Sequence, residues 1–486
     1  MDTPVLIVGA GPAGLATALT LARHGVESLL VERRTELSSL PRATVASTRS
    51  MELMRGWGVE DQVRAVAIDD IEWLLWECRT LAESASGSPL VAGLPTRAQS
   101  AALSPVEPEC AAQDELEPVL LQRLRELGHA RVELGTEVES VDAGEPGSGV
   151  TAVLRDVRTE ERRTVRARYL VAADGAHSAV RRSLGIPMKG QTDLDRAVTA
   201  LFRAPLWHLV GERRYGLYSI THPDAVCSLI PAGRGDRWLI GLEGEAADYT
   251  PERLAELIKT AVGDSVDPHI ERTGSFTFAA QIAERFRRGD AFLVGDAAHR
   301  VTPRGGTGMN TAIHGGHDLG WKLAWVLQRW AADELLDTYE GERRPVAEHN
   351  VTRSADPGGS RRDVSEAIRA DLGGRIPHVW VPSLGGTVSS LDVLKPGLTL
   401  FTGPNRVSWD TAVEVLRSPL PTAVRSLDPL TARALGVPSG GALLVRGDGA
   451  PVAAWSDRVD AVSAFREAVA ALAGEAAAGT LDEAAA

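Results

Sequence analysis

The sequence predicts an α/β protein in which a doubly wound parallel sheet is joined to an antiparallel sheet and to a smaller α/β unit. The chain opens with an apolar run (Val5–Val8), a Gly-rich turn and a helical pattern, which together begin a βαβ unit. Strand-like runs separated by turns fill residues 197–242, and a Pro-Gly-Gly break at 357–359 precedes further strand and helix patterns. These three observations define the predicted fold class.

The composition is that of a folded chain with an acidic balance. The 486 residues carry 52 basic and 65 acidic side chains, which gives a net charge of −13, and 44% of the residues are hydrophobic. At roughly 150 residues per domain, this length predicts about three structural units. A protein that neutralises phosphates needs a basic surface, so no nucleic acid partner is expected.

Cysteine usage and the apolar segments predict a cytoplasmic protein with no membrane contact. The three cysteines (Cys78, Cys110 and Cys227) are too far apart for a Cys-x-x-Cys pair, and their odd number argues against a disulfide framework. A reducing compartment fits them best. The chain begins without a signal-peptide pattern, and no stretch approaches the ~18 apolar residues of a bilayer span.

The first part of the chain is predicted to form the parallel sheet. Helical spacing over Leu15–Arg23 ends at Gly25, and the apolar run Ser28–Glu32 supplies the second strand. A helix is predicted over Leu116–Leu127. The segments after it alternate apolar and polar residues as the strands of a meander do: 132–141, 150–157 and 163–171.

The middle of the chain is predicted to form an antiparallel sheet from the runs at 198–202, 215–220, 226–230 and 238–242. A helix over Pro251–Val262, the buried strand Ala291–Val294 and a long helix ending near Trp330 follow. The last two return to the first domain, which is therefore discontinuous. The predicted domain ranges are 1–185 and 286–355 for that domain, 186–285 for the middle domain, 360–475 for a C-terminal domain and 476–486 for a flexible tail.

A G-x-G-x-x-G motif lies between the first strand and the first helix, at residues 9–14 (Gly-Ala-Gly-Pro-Ala-Gly). Gly9 permits the tight turn, Gly11 lets the backbone approach a pyrophosphate, and Gly14 allows close helix packing. The helix that starts at Pro12 presents unpaired amides to the anion. Glu32, at the end of the next strand, is suited to the ribose hydroxyls. The motif predicts a Rossmann-like dinucleotide site but does not separate NAD from FAD.

Two acidic residues follow later buried strands. Asp174 begins an Asp-Gly turn after the strand that ends near Val171, and Asp296 follows Ala291–Val294 and Gly295. Ligands of open α/β sheets bind at such strand ends, so Asp296 is suited to hold a ribityl or ribose hydroxyl. The alternative is that both aspartates only cap turns.

These motifs together resemble those of the single-component flavoprotein aromatic hydroxylases, the para-hydroxybenzoate hydroxylase fold group. The resemblance includes Ala-Asp-Gly-x-x-Ser-x-Val-Arg at 173–181, Gly-Asp-Ala-Ala-His at 295–299, and Pro-x-Gly-Gly-x-Gly-x-Asn at 303–310, a turn that lies beside the isoalloxazine ring in that family. It implies a Rossmann-like FAD-binding domain with an antiparallel-sheet substrate domain. The residues implied to bind FAD are Gly9, Gly11, Pro12, Ala13, Gly14, Glu32, Arg33, Arg42, Gln113, Asp174, Gly295, Asp296, Pro303, Gly306, Gly308, Met309 and Asn310.

Two of the implied positions, Arg42 and Gln113, are not predicted by the residues alone, and a third residue, Arg304, departs from the family pattern. The resemblance matches Arg42 to an arginine that reaches the FAD pyrophosphate, and Gln113 to a glutamine that contacts the flavin nucleotide, although an arginine in a loop is usually solvated. Arg304 occupies the variable position of the flavin turn, where a neutral side chain is common. It would tune the flavin, contact an anionic substrate, or point to solvent.

The C-terminal domain also carries a resemblance. Residues 390–392 (Ser-Leu-Asp), 397–401 and 441–449 are similar to the thioredoxin-like α/β domain of phenol and aromatic polyketide hydroxylases of the same family. The domain has no cysteine, so a thiol redox role is excluded and structural support or dimerisation is expected. The protein is predicted to be a monomer or a homodimer.

The resemblance implies a reaction. FAD would be reduced by NADPH or NADH, and O₂ would form a flavin C4a-hydroperoxide that transfers one oxygen to an aromatic ring, with the cofactor carrying the hard chemistry. It also implies an aromatic small-molecule substrate, polycyclic and polyketide- or antibiotic-like. The residues predicted to contact it, chosen on or beside the middle strands and the flavin turn, are Tyr215, Tyr218, His222, Leu229, Trp238 and Arg304.

Alternation implies that only about half of those strand residues face the substrate. No catalytic base or metal site is identified: His177 and His299 lie in the motifs but are expected to form local hydrogen bonds. A Baeyer–Villiger oxygenase, a reductase or oxidase, and a non-catalytic FAD or ligand-binding protein remain alternatives. A flavin halogenase is disfavoured because such enzymes carry a Trp-x-Trp-x-Ile-Pro signature and a catalytic lysine. Trp73 and Trp76 do not have that spacing, and no lysine precedes Lys189.

Overall fold

The computed structural model describes residues 1–90, 95–359, 363–383, 385–405, 407–416, 420–456 and 459–473. It divides into two compact units. Unit 1 comprises Met1–Ala102, Val106–His317 and Arg343–Asp371, and unit 2 comprises Leu103–Pro105, Asp318–Glu342 and Leu372–Ala486. The predicted tail at 476–486 lies outside the described residues, and the five-part domain division stays a prediction.

The helices, in chain order, are α1 Pro12–Arg23, α2 Thr48–Trp57, α3 Glu60–Val66, α4 Arg97–Ala101, α5 Gln113–Leu127, α6 Ala179–Ser183, α7 Trp207–Val210, α8 Pro251–Val262, α9 Gly308–Leu327, α10 Thr338–Ala355, α11 Val364–Leu372, α12 Val407–Leu416, α13 Pro429–Ala434 and α14 Ala461–Ala473.

The strands are β1 Thr3–Val8, β2 Ser28–Glu32, β3 Glu72–Cys78, β4 Ser88–Leu90, β5 Ala130–Leu134, β6 Thr136–Asp142, β7 Val150–Asp156, β8 Arg162–Ala172, β9 Met188–Arg203, β10 Tyr215–Ile220, β11 Cys227–Pro231, β12 Arg237–Glu243, β13 His269–Ala283, β14 Arg287–Arg288, β15 Ala291–Leu293, β16 His299–Arg300, β17 Trp380–Ser383, β18 Gly386–Ser389, β19 Leu398–Thr402, β20 Thr422–Ser426, β21 Ala442–Arg446 and β22 Pro451–Trp455.

The first sheet of unit 1 is the predicted parallel sheet. Its order is β14-β15-β8-β1-β2-β5, with β6 and β7 joined to β8 as an antiparallel meander. β1 pairs in parallel with β2 and β8, and β8 pairs in parallel with β15. β15 therefore returns to the sheet after the middle part of the chain, as predicted. Leu6 and Ile7 of β1 are fully buried because helices cover both faces of such a sheet.

The second sheet of unit 1 has the order β16-β13-β9-β12-β11-β10-β3-β4. Its strands are mainly antiparallel, as predicted, and β10 pairs in parallel with β3. Strands β3 and β4 were not predicted: Glu72–Cys78 has the apolar run Trp-Leu-Leu-Trp between two glutamates and therefore lacks clear alternation. One face of this sheet packs on α8, whose Leu254, Leu257 and Ile258 belong to the same buried cluster as the sheet residues.

Unit 2 contains a sheet of order β20-β19-β21-β22 and the hairpin β17–β18. Phe401 of β19 and Val445 of β21 are fully buried at its core. The fully buried Lys322 Nζ lies 2.9 Å from Asp318 Oδ2 and 3.3 Å from Glu342 Oε2. Arg446 lies 2.9 Å from the same glutamate. These ion pairs neutralise the buried charges, which is what burial of a lysine requires.

A mixed α/β fold is therefore confirmed. In the part of the chain that the structure describes, no helix has both the length and the apolar character to cross a membrane.

Candidate cofactor and substrate site

A cavity of ≈ 1730 Å³ lies in unit 1, between the Gly-rich end of the first sheet and one face of the second. Most of the predicted cofactor residues line it: Gly9, Gly11, Pro12, Ala13, Glu32, Arg33, Arg42, Gln113, Asp174, Asp296, Pro303, Gly306, Gly308 and Met309. Gly14, Gly295 and Asn310 are not among the lining residues.

The three glycines of the first motif have different surroundings. A Cβ atom on Gly9, whose φ is +107°, would lie 2.3 Å from the Ala173 carbonyl oxygen, and one on Gly14 would lie 1.9 Å from the Gly9 carbonyl oxygen. Both positions therefore require glycine for packing. A Cβ atom on Gly11 would meet no atom of the described residues within 4 Å. Gly11 is also the N-cap of α1, so the backbone there borders open space at a helix N-terminus.

Glu32 holds its carboxylate at the end of β2 through two backbone amides. Its Oε2 accepts a hydrogen bond from Ala10 N at 3.0 Å, and its Oε1 accepts one from Arg34 N at 3.0 Å. The first bond ties the acid to the Gly-rich turn. The carboxylate is thus fixed at the cavity wall, where ribose hydroxyls of a dinucleotide are bound in this type of fold.

Asp174 and Asp296 differ in how their carboxylates are used. Asp174 accepts hydrogen bonds from the Ser178 hydroxyl and from Val180 N, the latter at 3.1 Å, and so it caps α6. The turn-capping alternative thus describes Asp174, although it also lines the cavity. Burial raises the pKa of Asp296, and Arg42 and Arg300 act in the opposite direction. Burial outweighs the two guanidinium groups, so the Asp296 carboxyl beside the cavity holds its proton more tightly than an exposed aspartate does.

Gly295 has a packing role next to Asp296. Its φ is +59°, and a Cβ atom there would lie 2.9 Å from the Cβ of Ala13 and 3.3 Å from the Cβ of Ala312. Glycine thus lets the backbone at position 295 lie close to both α1 and α9.

Gln113 is paired with an acid that the sequence did not single out. Its Nε2 donates to Glu117 Oε1 at 2.6 Å, one helical turn further along α5, and Glu117 lines the cavity. Burial raises the pKa of Glu117 to about 7, while the Gln113 hydrogen bond and Arg42 act against it. The i, i+4 spacing from Gln113 was the available sequence signal.

The raised pKa of Glu117 predicts that the stability of the folded protein depends on pH. Because the pKa of Glu117 is about 7 in the folded state and near 4.5 in the unfolded state, its contribution to the free energy of unfolding is fully present below pH 4.5 and is lost as the pH rises to about 7. We expect Glu117→Gln, without FAD, to be more stable than wild type above pH 7, by up to about 3 kcal/mol, with the difference vanishing below pH ~4.5. Denaturant titrations at pH 4 and pH 8 measure this. The exposed Glu126→Gln on the same helix is the control, and a pH-independent difference for Glu117→Gln contradicts the account.

The flavin turn contains Pro303, Gly306, Gly308 and Met309, which line the cavity. Gly305 and Gly306 have φ of +92° and +62°, conformations that favour glycine, and Gly306 N donates to Pro303 O at 3.0 Å. The turn leads directly into α9. The amides at the start of a long helix present positive dipole character to the cavity.

Arg304 points into the wall and not to solvent alone. Its Nη2 lies 2.9 Å from Asp195 Oδ2 on β9, and its guanidinium carbon lies 5.1 Å from the ring centroid of Phe278 on β13. Asp195 and Phe278 are opposite each other in the β9–β13 register. These contacts link the flavin turn to the second sheet, a role that the sequence did not indicate for Arg304. Asp195 was missed because one acid in a polar strand carries no distinguishing signal.

We expect Arg304→Ala to lower turnover about tenfold while FAD stays bound, because the turn loses its link to the wall and small misplacements near reacting groups are costly. The free energy of unfolding should fall by less than about 1 kcal/mol, since the pair is partly exposed. The matched control is Arg196→Ala on β9, next to Asp195, which breaks an exposed ion pair with Glu245. Steady-state kinetics measure the effect, and equal turnover in both variants contradicts it.

The residues predicted to form the substrate wall are corrected by the structure, except for Arg304. Among them, Tyr218, Leu229 and Trp238 are fully buried in the cluster on the opposite face, against α8. Tyr215 stacks on Trp76 with ring centroids 4.5 Å apart and packs on the same cluster. Like His222, it is absent from the residues that line the cavity. About half of the strand residues were expected to face the substrate, but none of these five lines the cavity, because the large aromatic side chains occupy the core face, where they bury the most area.

The cavity face of the second sheet carries a row of small side chains. The strand registers place Ser228 opposite Gly241, Gly241 opposite Thr199, and Thr199 opposite Gly274. All four residues line the cavity. We call this row the small-residue strip; it crosses β11, β12, β9 and β13 and offers a smooth, uncharged surface.

Apolar side chains border the small-residue strip. Ile230 and Leu239 are opposite each other on β11 and β12, line the cavity, and pack with Leu40. On β13, Phe276 and Phe278 stack with centroids 5.4 Å apart and also line the cavity. The wall is therefore suited to a flat apolar ligand.

The two histidines of the motifs lie in different surroundings. Burial lowers the pKa of His299 to about 4, so its imidazole is neutral at pH 7, and it is not a lining residue. His177 lines the cavity, and its carbonyl accepts a hydrogen bond from Arg182 Nη1 at 2.7 Å. The catalytic residues stay unassigned.

The fold and cavity define a dinucleotide-binding protein in which the cofactor turn and a separate substrate wall share one space. The chain belongs to the family described as FAD binding domain, whose model matches residues 2–354.

Characterised relatives are similar over nearly the whole chain. An aklavinone 12-hydroxylase of Streptomyces purpurascens is 36% identical, with 93% of this chain and 95% of the relative covered. A tetracenomycin A2 monooxygenase-dioxygenase of Streptomyces glaucescens is 34% identical, with 92% of each covered. The solved ternary complex of aklavinone-11 hydroxylase with FAD and aklavinone has a TM-score of 0.86 at 32% identity and covers 97% of this chain and 99% of its own. These similarities confirm the family, the fold class and the flavin-dependent aromatic monooxygenase activity predicted from the motifs.

Proposed function

We propose that this protein is an FAD-dependent, NAD(P)H-consuming monooxygenase that hydroxylates a polycyclic aromatic substrate of the polyketide or antibiotic type. The observation that carries the proposal is the shared cavity: the Gly-rich turn, Glu32 and Asp296 line one part of it, and the small-residue strip lines another. A cofactor and a flat substrate would therefore meet in one cavity.

The residues present fit FAD. Gly11 borders space without protein atoms at the N-terminus of α1, which suits a pyrophosphate. Glu32 would accept hydrogen bonds from the adenosine ribose, Arg42 would pair with the pyrophosphate, and Asp296 would hold a ribityl hydroxyl. When bound, FAD supplies the redox and oxygen chemistry, which no protein side chain provides.

The protein's own residues would bind and orient the cofactor and the substrate and would exclude water from the reacting atoms. The amides of the turn at 305–309 and the N-terminal end of α9 would stabilise negative charge that develops on the flavin ring. Apolar side chains along the strip, such as Ile230 and Leu239, would keep water away from the reacting atoms. The wall would hold an aromatic ring in a fixed orientation.

The small-residue strip indicates the substrate class. Four adjacent strands spaced ~4.8 Å apart give a strip about 14 Å long, the length of roughly three or four linearly fused six-membered rings. Its side chains are uncharged, which suits a phenol or quinone better than a small carboxylate. Relatives named as hydroxylases of aklavinone and tetracenomycin support the same class.

Anaerobic mixing of the FAD-loaded protein with NADPH, with and without polycyclic phenols such as aklavinone, tests the proposal. We expect flavin absorbance to bleach faster with one ligand, and the later addition of O₂ to give a product heavier by one oxygen atom at a ring carbon. Bleaching without oxygen incorporation supports a reductase or oxidase. Oxygen inserted beside a carbonyl supports the Baeyer–Villiger alternative, and absence of bound flavin overturns the proposal.

We also propose that this protein is cytoplasmic and is a monomer or a homodimer. The three free, buried cysteines support a reducing compartment. Sedimentation of the FAD-loaded protein measures its oligomeric state.

A further inference from the structure

A buried polar network lies behind the flavin turn and connects it to the start of α2. Asn310, which ends the Pro-x-Gly-Gly-x-Gly-x-Asn motif, is its centre. The side-chain nitrogen of Asn310 donates to the Val45 carbonyl at 3.1 Å and to the Gly306 carbonyl at 3.4 Å. Val45 and Gly306 both line the cavity. The Asn310 amide therefore ties together two backbone segments of the cavity wall.

The orientation of the Asn310 amide is fixed by its partners. Its Oδ1 accepts from the backbone Ser47 N at 2.9 Å, and its nitrogen faces two carbonyl oxygens. Backbone amides only donate and carbonyls only accept, so the amide has one possible orientation. The Ser50 hydroxyl, whose Oγ lies 2.7 Å from the same Oδ1, must then donate its proton to it.

These hydrogen bonds determine which ring nitrogen of His314 carries the proton. His314 Nε2 lies 3.0 Å from Ser50 Oγ. Because the Ser50 proton is already committed to Asn310, the Ser50 oxygen accepts, and His314 Nε2 carries the donated hydrogen. Burial lowers the pKa of His314 well below its usual range, so the ring has one N–H at neutral pH. The hydrogen bonds run in one direction, from His314 through Ser50 to Asn310.

A carboxylate anchors the other side of this network. Asp371 Oδ1 accepts from the Ser47 hydroxyl at 2.5 Å, and Asp371 Oδ2 accepts from Arg49 N at 3.0 Å. Ser47 is the N-cap of α2, so Asp371 fixes the start of the helix that carries Ser50. Ser50 is fully buried, as are Thr17, Ser178 and Ser354 elsewhere in unit 1, so an unpaired hydroxyl at Ser50 would be costly.

We propose that Ser50 and His314 are positioning residues of the monooxygenase: they hold the Asn310 amide, and through it the flavin turn, in the geometry that reduction of the flavin requires. This inference rests on the proposed function. Neither residue lines the cavity, so they act through Asn310 and not on the cofactor itself. The Gly11 turn binds elsewhere along the cofactor, so loss of the network should alter the flavin ring more than the affinity for FAD.

Ser50→Thr and Ser50→Val form a matched pair, because threonine and valine have nearly the same shape and only threonine keeps the hydroxyl. We expect Ser50→Thr to resemble wild type. Ser50→Val should change the visible spectrum of bound FAD and slow its reduction by NADPH about tenfold, with the FAD Kd within about twofold of that of Ser50→Thr. Without FAD, amide hydrogen exchange over 43–50 and 303–310 should be faster in Ser50→Val.

A second pair at His314 covers the case in which Ser50→Val does not fold. His314→Gln keeps an N–H donor and should retain the wild-type spectrum and reduction rate, whereas His314→Leu should lose both. The positioning role is overturned if, in a pair whose two variants both fold, the variants have equal flavin spectra, equal reduction rates and equal hydrogen exchange. If wild type itself binds no FAD, the proposed function fails. The hydrogen-exchange measurement on the FAD-free protein then still shows whether the network holds the flavin turn in place.

Discussion

Replacing Gly11 with valine should leave the chain folded and abolish FAD binding. A Cβ atom on Gly11 meets no atom of the described residues within 4 Å, and the backbone there is extended, so the protein accommodates the side chain. The side chain would occupy the space that the proposed pyrophosphate needs. We expect the FAD Kd to rise by at least about 100-fold, which corresponds to ~3 kcal/mol of lost binding free energy.

Gly341→Val is the matched control for this prediction. Gly341 lies on α10, and a Cβ atom there also meets no atom of the described residues within 4 Å. Both variants should show the thermal unfolding of a folded protein, and only the Gly11 variant should fail to quench FAD fluorescence on titration. If Gly11→Val binds FAD as wild type does, the pyrophosphate is not at this turn.

A large side chain at Gly241 should abolish hydroxylation and leave FAD binding intact. In the small-residue strip, a Cβ atom on Gly241 would have only the Ser228 Cβ nearby, at 3.9 Å, so Gly241→Phe projects a ring over the strip without a backbone clash. We expect kcat/KM for a polycyclic phenol to fall by at least about 100-fold, because the ring occupies the substrate's place.

Val226→Phe controls for the added aromatic side chain, since Val226 is 66% exposed and is not a lining residue. It should keep wild-type kinetics. Binding of the phenol, followed by the change in flavin absorbance, should disappear only in Gly241→Phe. Retained substrate binding in that variant would contradict the assignment of the strip as the substrate wall.

The motif residues that line the cavity were predictable because they follow from local backbone requirements. Gly9, Gly11 and Gly14 occupy a strand–turn–helix whose geometry accepts few other residues, and Glu32 lies at the end of the adjacent strand. Such constraints depend on neighbours in sequence, so the motif carries them. Asp296 was predictable for the same reason, as the acid after a buried strand.

The residues that line the cavity from the second sheet were less predictable because one face of that sheet packs on α8 and the other lines the cavity. Alternation identifies two faces but not which of them lines a cavity when neither is polar. Trp238 and Tyr218 pack against α8, and the cavity side is marked by small residues such as Gly241. Small side chains carry little sequence signal, which is why aromatic residues were chosen in their place.

Contacts between distant parts of the chain carried no local signal at all. Ser50 and Asn310 meet across 260 positions, and Arg304 and Asp195 across 109. Each partner is an ordinary residue for its own helix, turn or strand. Only the fold brings them together, so the network behind the flavin turn and the link to β9 became visible in the structure.

The central claim is that one cavity holds FAD beside an aromatic substrate and transfers oxygen from O₂ to it. Turnover of polycyclic phenols by the FAD-loaded protein with NADPH under ¹⁸O₂, followed by mass spectrometry of the product, tests it most directly. The account predicts a product that contains one ¹⁸O atom on a ring carbon, formed by wild type and not by Gly241→Phe. Oxidation of NADPH with no ¹⁸O in any product, across the phenols that bind, would contradict it.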